Sequence, residues 1–181
     1  MTLVVNLYGG PGTGKSTVCA AVFAELKWNG INCEMAREYA KDIVWEESFR
    51  RLENQIHIFG EQQHRLHRLI DKVDVVLTDS PLLLSLVYGM RMSAAFKGVV
   101  LDTYNSFNNY DIYLEREKPY HQAGRVQNEQ QAREIDDIVY HMLNAHGISF
   151  HTHTANRLGV QTITDKIIKV LCGGSKRPNI T

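Results

Sequence analysis

The run Gly9-Gly10-Pro11-Gly12-Thr13-Gly14-Lys15-Ser16 constrains the fold of this chain more than any other feature. It satisfies the pattern G-x-x-x-x-G-K-[ST], and its flanks supply the context that pattern requires. Residues 2–8 are an apolar, β-rich run ending in glycines, which predicts a buried strand. Residues 15–28 carry Val18, Val22 and Leu26 at helical spacing before Asn29-Gly30 stops the pattern. A strand, a glycine-rich turn and a helix in that order make a cradle for phosphate. The glycines let backbone N–H groups turn inward without Cβ clashes. The helix N-terminus adds the positive end of its dipole. In such a cradle Lys15 reaches the β- and γ-phosphates and the Ser16 hydroxyl ligates Mg²⁺. Gly10, Gly12, Thr13, Gly14, Lys15, Ser16 and Thr17 are therefore the nucleotide-binding candidates.

The rest of the chain continues the alternation. Residues 31–35 predict a weaker second strand, and residues 39–72 are mostly helical with a break near 46–50. Residues 73–78 form a continuous apolar run, as expected of a strand buried on both faces. Ser80-Pro81 has the form of an N-cap followed by proline at the first helical position. A helix over 93–107, a strand over 110–114, a polar loop over 115–128, a helix over 129–145, a strand over 148–151 and a helix over 164–171 follow. Strands alternating with helices predict an α/β fold, a parallel sheet with helices on both faces. With 181 residues, at about 150 residues per domain, one domain is expected. We place it over residues 1–172, with residues 173–181 as a flexible tail.

Composition removes several classes. Hydrophobic residues are 44% and charged residues 22%, the balance of a globular chain rather than a disordered, collagenous or coiled-coil one. No apolar run approaches the roughly 20 residues of a membrane span. No basic segment precedes the first apolar run, so neither a signal peptide nor a membrane partner is expected. Twenty basic and twenty acidic residues cancel, which argues against general nucleic-acid binding but leaves room for a local patch. Cys19, Cys33 and Cys172 are odd in number and lack zinc spacing, so they read as reduced thiols.

The acceptor side must come from residues outside the loop. Asp79 follows a buried strand, at the sheet edge where open α/β sheets bind ligands. It is positioned either to hold the Mg²⁺ shell or to take a proton from an attacking hydroxyl. Glu38 lies at the same edge, just past the second strand, where it can hydrogen-bond a sugar or activate a hydroxyl. Arg37 beside it is a substrate-binding candidate. Gln62 and Gln63 interrupt the helical stripe of Phe59, Leu66 and Val73. An inward glutamine needs a partner offering both donor and acceptor, as a nucleobase edge does. His64, Arg65, His67 and Arg68 crowd one side of that helix, as a solvated face or a patch for a phosphate backbone. Lys118, Arg125 and Arg133 flank the polar loop. We read a lid over about 116–133, whose arginines Arg125 and Arg133 close over the transferring phosphate.

These pieces carry a resemblance. The chain resembles the small P-loop kinases of the nucleoside and nucleotide kinase group. It is especially similar to the bacterial nicotinamide riboside kinase domain and to phage-encoded P-loop kinases, including those that phosphorylate 5-hydroxymethyluracil in DNA. The matching residues are GGPGTGKST at 9–17, Arg37-Glu38 with Trp45 beyond, TDSP at 78–81 and GRVQNEQQAR at 124–133. Ser80-Pro81 departs from the arginine-bearing motifs of the group. The resemblance implies a P-loop NTPase three-layer sandwich with a five-stranded sheet in the order 2-3-1-4-5, and ATP as donor. It also implies a monomer or homodimer in the cytoplasm, that of a bacterial host if the chain is phage-encoded. The expected function is ATP- and Mg²⁺-dependent transfer of the γ-phosphate to a hydroxyl of a nucleoside-type acceptor, free or in modified DNA. The competing reading is a regulatory or motor NTPase that hydrolyses ATP. It would favour two acidic residues at the strand end, where Thr78-Asp79-Ser80 has one, and a lid domain for which the chain is short. A non-catalytic nucleotide sensor is disfavoured because Lys15 and Ser16 are both retained.

Overall fold

The computed structural model of the chain describes residues 1–117, 120–121 and 127–174. Its strands are β1 (Leu3–Tyr8), β2 (Cys33–Ala36), β3 (Val75–Thr78), β4 (Asn108–Glu115) and β5 (Phe150–Thr154). Its helices are α1 (Lys15–Trp28), α2 (Tyr39–Trp45), α3 (Phe49–Leu52), α4 (Gln55–His67), α5 (Leu84–Tyr88), α6 (Ala94–Asn105), α7 (Glu129–Ala145) and α8 (Arg157–Gly174). The strands make one parallel sheet in the order β2-β3-β1-β4-β5. Val5 lies opposite Leu77 of β3 and Tyr110 of β4, so β1 is central and both its faces are covered.

The two-residue period of β1 separates the two cores. Leu3, Val5 and Leu7 pack with Val18, Val22 and Leu26 of α1 and Ile163 and Ile167 of α8. Val4 and Tyr8 pack on the opposite face with Phe59 and Leu66 of α4, Val100 of α6 and Val139 and Leu143 of α7. Three layers result, and the C-terminal edges of β1, β2 and β3 open on one side. One polar knot crosses the second core. Asp111 accepts from Asn6 Nδ2 at 3.0 Å and from the Tyr104 hydroxyl at 2.6 Å. Burial nonetheless pushes its carboxyl above the usual range.

Most predicted elements appear within two residues of their expected bounds, and α7 spans the residues expected of it. The predicted break near 46–50 becomes two interruptions, leaving three helices, α2, α3 and α4. Three expectations are corrected. Ser80-Pro81 does not start a helix: the Thr78 hydroxyl takes the Ser80 N–H at 3.1 Å, and a tight turn runs from Pro81 to α5. Strand β5 lies two to three residues later than expected. Helix α8 begins at Arg157 rather than residue 164 and takes in Gly173 and Gly174 of the expected tail. Asn156 caps it, accepting the Gly159 N–H at 2.9 Å. A Cβ on Gly159 would stand 2.0 Å from the Thr154 carbonyl oxygen, so glycine is what lets the helix start there. The remaining tail, residues 175–181, lies outside the described residues. Cys19, Cys33 and Cys172 are free thiols. Among the described residues, no helix is long and apolar enough to cross a membrane.

Candidate functional site

The chain leaves β1 at Tyr8 and enters α1 at Lys15 through the predicted glycine loop. Gly14 is the N-cap of α1 with φ +116°, in the left-handed region, and a Cβ there would also press on Ala155 at 2.9 Å. No side chain caps the helix, so its first amides are open to an anion. This uncapped, glycine-shaped cradle fits a phosphate group. Lys15 Nζ donates to the Gly9 and Gly10 carbonyls at 2.7 and 2.9 Å. Desolvation lowers its ammonium below the ordinary lysine range, while Glu38, then Asp79 and Asp136, act to keep it charged. Ser16 and Thr17 are exposed at the helix entrance.

A cavity of about 450 Å³ opens from this loop toward α2 and α5. Pro11, Gly12, Gly14, Lys15, Ser16 and Thr17 form its phosphate end. Val44, Leu52, Ile58, Leu84 and Tyr88 wall the other end, with Lys41 and Gln55 among them. Glu38 lines the cavity between the two parts of the sequence, as the residue that precedes α2. Asp79, buried at the end of β3, does not line it. Asp79 Oδ1 accepts the Glu38 backbone N–H at 3.1 Å, so one carboxylate braces the turn that carries the other. Glu38 and Asp79, expected at one sheet edge, are joined there by this hydrogen bond.

Other candidates are placed differently. Gly10 and Thr13 do not line the cavity. The Thr13 side chain is buried, 2.7 Å from the Gly10 carbonyl. Gln62 is buried, but its amide meets protein groups. It accepts the Tyr39 N–H at 3.0 Å and lies 3.5 Å from Thr78 Oγ1. It ties the start of α2 to α4 and β3. Gln63 is half-buried and Arg37 exposed, and neither lines the cavity. Arg65 turns inward to Asp42 at 2.6 Å and lies over the Tyr39 ring, leaving His64, His67 and Arg68 exposed. Trp45 is exposed. Arg133 pairs with Glu129 on its own helix at 2.9 Å, at the surface. Lys118 and Arg125 lie outside the described residues.

Two residues that sequence reasoning passed over stand against the loop. Arg116, just past β4, and Asp136, on α7, pair at 2.8 Å with both side chains largely buried. The available signal was position: Arg116 follows a strand at the same sheet edge as Asp79. Asp136 gave none, since no motif marks one acidic residue among the several on α7. Lys41 on α2 and Gln55 at the start of α4 were likewise missed, being common polar residues in no motif.

The fold is shared with solved structures. NadR protein in complex with NR is 15% identical with a TM-score of 0.71, and the match covers 99% of this chain and 54% of that one. NadR protein in complex with NAD and AMP-PNP is 15% identical with a TM-score of 0.69, covering 99% and 52%. The thymidylate kinase from Ehrlichia chaffeensis is 14% identical with a TM-score of 0.59, covering 94% and 98%. The chain therefore spans about half the length of the NadR protein and nearly all of the thymidylate kinase. At these identities the likeness is one of fold. No curated protein matches the chain in sequence. One family model, described as an AAA domain, matches residues 4–157. That span holds the whole sheet and the phosphate loop, and the chain belongs to the AAA domain family.

Proposed function

We propose that this protein is an ATP- and Mg²⁺-dependent kinase that transfers the γ-phosphate to a hydroxyl of a nucleoside-type acceptor. The observation that carries the proposal is the cavity continuing from Lys15 and Ser16 past Glu38 to an apolar chamber. Hydrolysis needs room only for water. A walled space of about 450 Å³ beside the phosphate loop is within the size range of small-molecule sites. The fold shared with two NadR complexes and a thymidylate kinase is in keeping with this reading.

The residues take the following roles. Lys15 and the uncapped amides of α1 hold the donor phosphates. Glu38 lines the cavity and receives the proton of the attacking hydroxyl, and Asp79 behind it holds the Glu38 backbone in place. The Ser16 hydroxyl and the Asp79 carboxylate are the residues that would hold Mg²⁺, which when bound neutralises phosphate charge. Val44, Leu52, Ile58 and Leu84 pack the flat face of a base, with Gln55 and Lys41 offering it polar contacts. Arg37 and Gln63 are proposed at the rim, and Gln62 shapes the site by fixing the start of α2. Arg125 and Arg133 are proposed to meet the developing charge, Arg133 by leaving Glu129. A free acceptor ranks before one carried in DNA, such as 5-hydroxymethyluracil, because Arg65 is withdrawn from the basic patch toward Asp42.

The family description favours a second reading, a regulatory or motor NTPase. Against it, Asp79 is followed by Ser80 rather than a second carboxylate. One experiment separates the two. The protein is incubated with Mg²⁺ and γ-labelled ATP in the presence of nucleosides, nucleotides or an oligonucleotide bearing hydroxymethylated bases. Label on an organic acceptor supports the kinase. Label released only as inorganic phosphate, at a rate no acceptor changes, replaces it by the NTPase.

A further inference from the structure

Arg116 and Asp136 have no part in the proposed transfer, yet together they grip the phosphate loop from outside the cavity. Their side chains are 6% and 14% exposed, and Arg116 Nε donates to Asp136 Oδ2 at 2.8 Å. Asp136 Oδ1 accepts the Gly10 N–H at 2.6 Å and lies 3.0 Å from the Thr13 hydroxyl. Arg116 Nη2 donates to the Pro11 carbonyl at 2.8 Å and to Thr13 Oγ1 at 3.3 Å. Three points along the loop, at Gly10, Pro11 and Thr13, are thus fixed by one ion pair. The approach leaves no slack. A Cβ on Gly10 would stand 2.5 Å from the Ala132 carbonyl oxygen and 2.6 Å from Asp136 Oδ1. Gly10, which the motif assigns to phosphate, is the position where α7 docks on the loop.

A glycine-rich loop has much conformational freedom to lose when it closes on a ligand. Fixing it beforehand raises affinity by removing that loss. A carboxylate is suited to this, because a charge-assisted bond to a backbone N–H is shorter and stronger than a neutral one. Arg116, paired with that carboxylate at 2.8 Å, places the opposite charge beside it. Its Nη1 is buried and has no hydrogen-bond partner among the described residues.

We propose that Asp136 is a positioning residue for the nucleotide: through Gly10 and Thr13 it holds the loop in the shape that receives phosphate, with Arg116 as its counter-ion. The proposal rests on the reading that the loop binds nucleotide and is indifferent to the acceptor. Two measurements made without acceptor test it. In ¹⁵N-labelled wild-type protein the Gly10 amide proton resonates far downfield, and Asp136→Asn moves it upfield. The same variant weakens ATP binding by about ten- to a hundredfold, because a displaced loop misplaces several donors at once. Asp136→Glu keeps the charge and weakens binding less, and the exposed neighbour variant Asp137→Asn leaves binding unchanged. Where a transfer assay is available, the loss falls on the KM for ATP and spares the KM for acceptor. A folded Asp136→Asn protein with wild-type ATP affinity overturns the proposal, as does one whose melting temperature falls while affinity holds. If Asp136→Asn does not fold, Asp136→Glu decides: unchanged affinity and an unmoved Gly10 amide overturn it. A protein that binds ATP but phosphorylates no acceptor would sink the kinase reading and leave these results standing.

Discussion

Lys15 sits among groups that pull its charge both ways. Desolvation lowers its ammonium, and Glu38, Asp79 and Asp136 oppose the shift. Phosphate binds the charged form, so ATP affinity should fall as pH rises through a value below that of a free lysine. Titration of ATP binding over the alkaline range checks this. Lys15→Arg, whose guanidinium stays charged, should lose that limb, whereas Lys15→Ala should lose transfer at every pH with its circular dichroism unchanged. The two carboxylates separate in a similar way. Glu38→Gln should lower turnover by roughly 10²- to 10⁴-fold with ATP binding intact, as removal of a general base does. Asp79→Asn keeps an acceptor for the Glu38 N–H but loses the charge that would hold Mg²⁺, so it should weaken Mg²⁺-dependent ATP binding as well. If neither variant changes turnover, both assignments are wrong. The motif identified Lys15 in the sequence, and strand-end position identified Glu38 and Asp79. Which of the two faces the cavity could not be read there, because both follow a strand at the same edge.

Elements differ in how much of their extent is local. Helix α7 carries its own start signal, a capping box of Asn128 and Gln131, and its expected and observed bounds agree. Helix α8 does not. Its first turn contains Gly159, which lowers helical propensity, and its apolar stripe of Val160, Ile163 and Ile167 is short. Only the approach of Thr154 explains why glycine is there. Gly159→Ala should therefore destabilise the protein although alanine is the better helix former. The cost should be roughly 1–3 kcal/mol, as for other overpacked sites, and a melting curve would register it as a fall of several degrees. A stabilised variant would mean that the turn relaxes freely. The start after Ser80-Pro81 fails for a different reason: the chain first makes a turn, Leu84 N–H to the Pro81 carbonyl at 3.0 Å, and α5 begins only at Leu84.

At the scale of the whole molecule the charge is balanced, twenty basic against twenty acidic residues. With no long-range field to gather a polyanion, transfer to a free acceptor should show little dependence on salt. Transfer to DNA would show it, with a log–log slope of about −0.7 to −0.9 per neutralised phosphate. Measuring transfer to a nucleoside and to a hydroxymethylated oligonucleotide from low to moderate salt distinguishes them. A steep slope that Arg68→Ala flattens would reverse the ranking of free over DNA-borne acceptors.

The sequence by itself determined the phosphate loop, the β/α alternation and the parallel sheet, because each is written in short-range pattern. Glycines sit at the turn, period-two and period-3.6 apolar spacing marks the elements, and crossover helices force the strands parallel. Tertiary structure alone decided how residues distant in the chain share atoms. Gln62 looked like a base-reading amide until the fold brought the Tyr39 N–H to within 3.0 Å of it. Arg65 looked like part of a surface patch until Asp42 came within 2.6 Å. Asp136, 126 residues from Gly10, had no local pattern to mark it. A hydrogen bond is settled over about 3 Å in space, and no spacing along a chain encodes that distance when the partners lie on different elements.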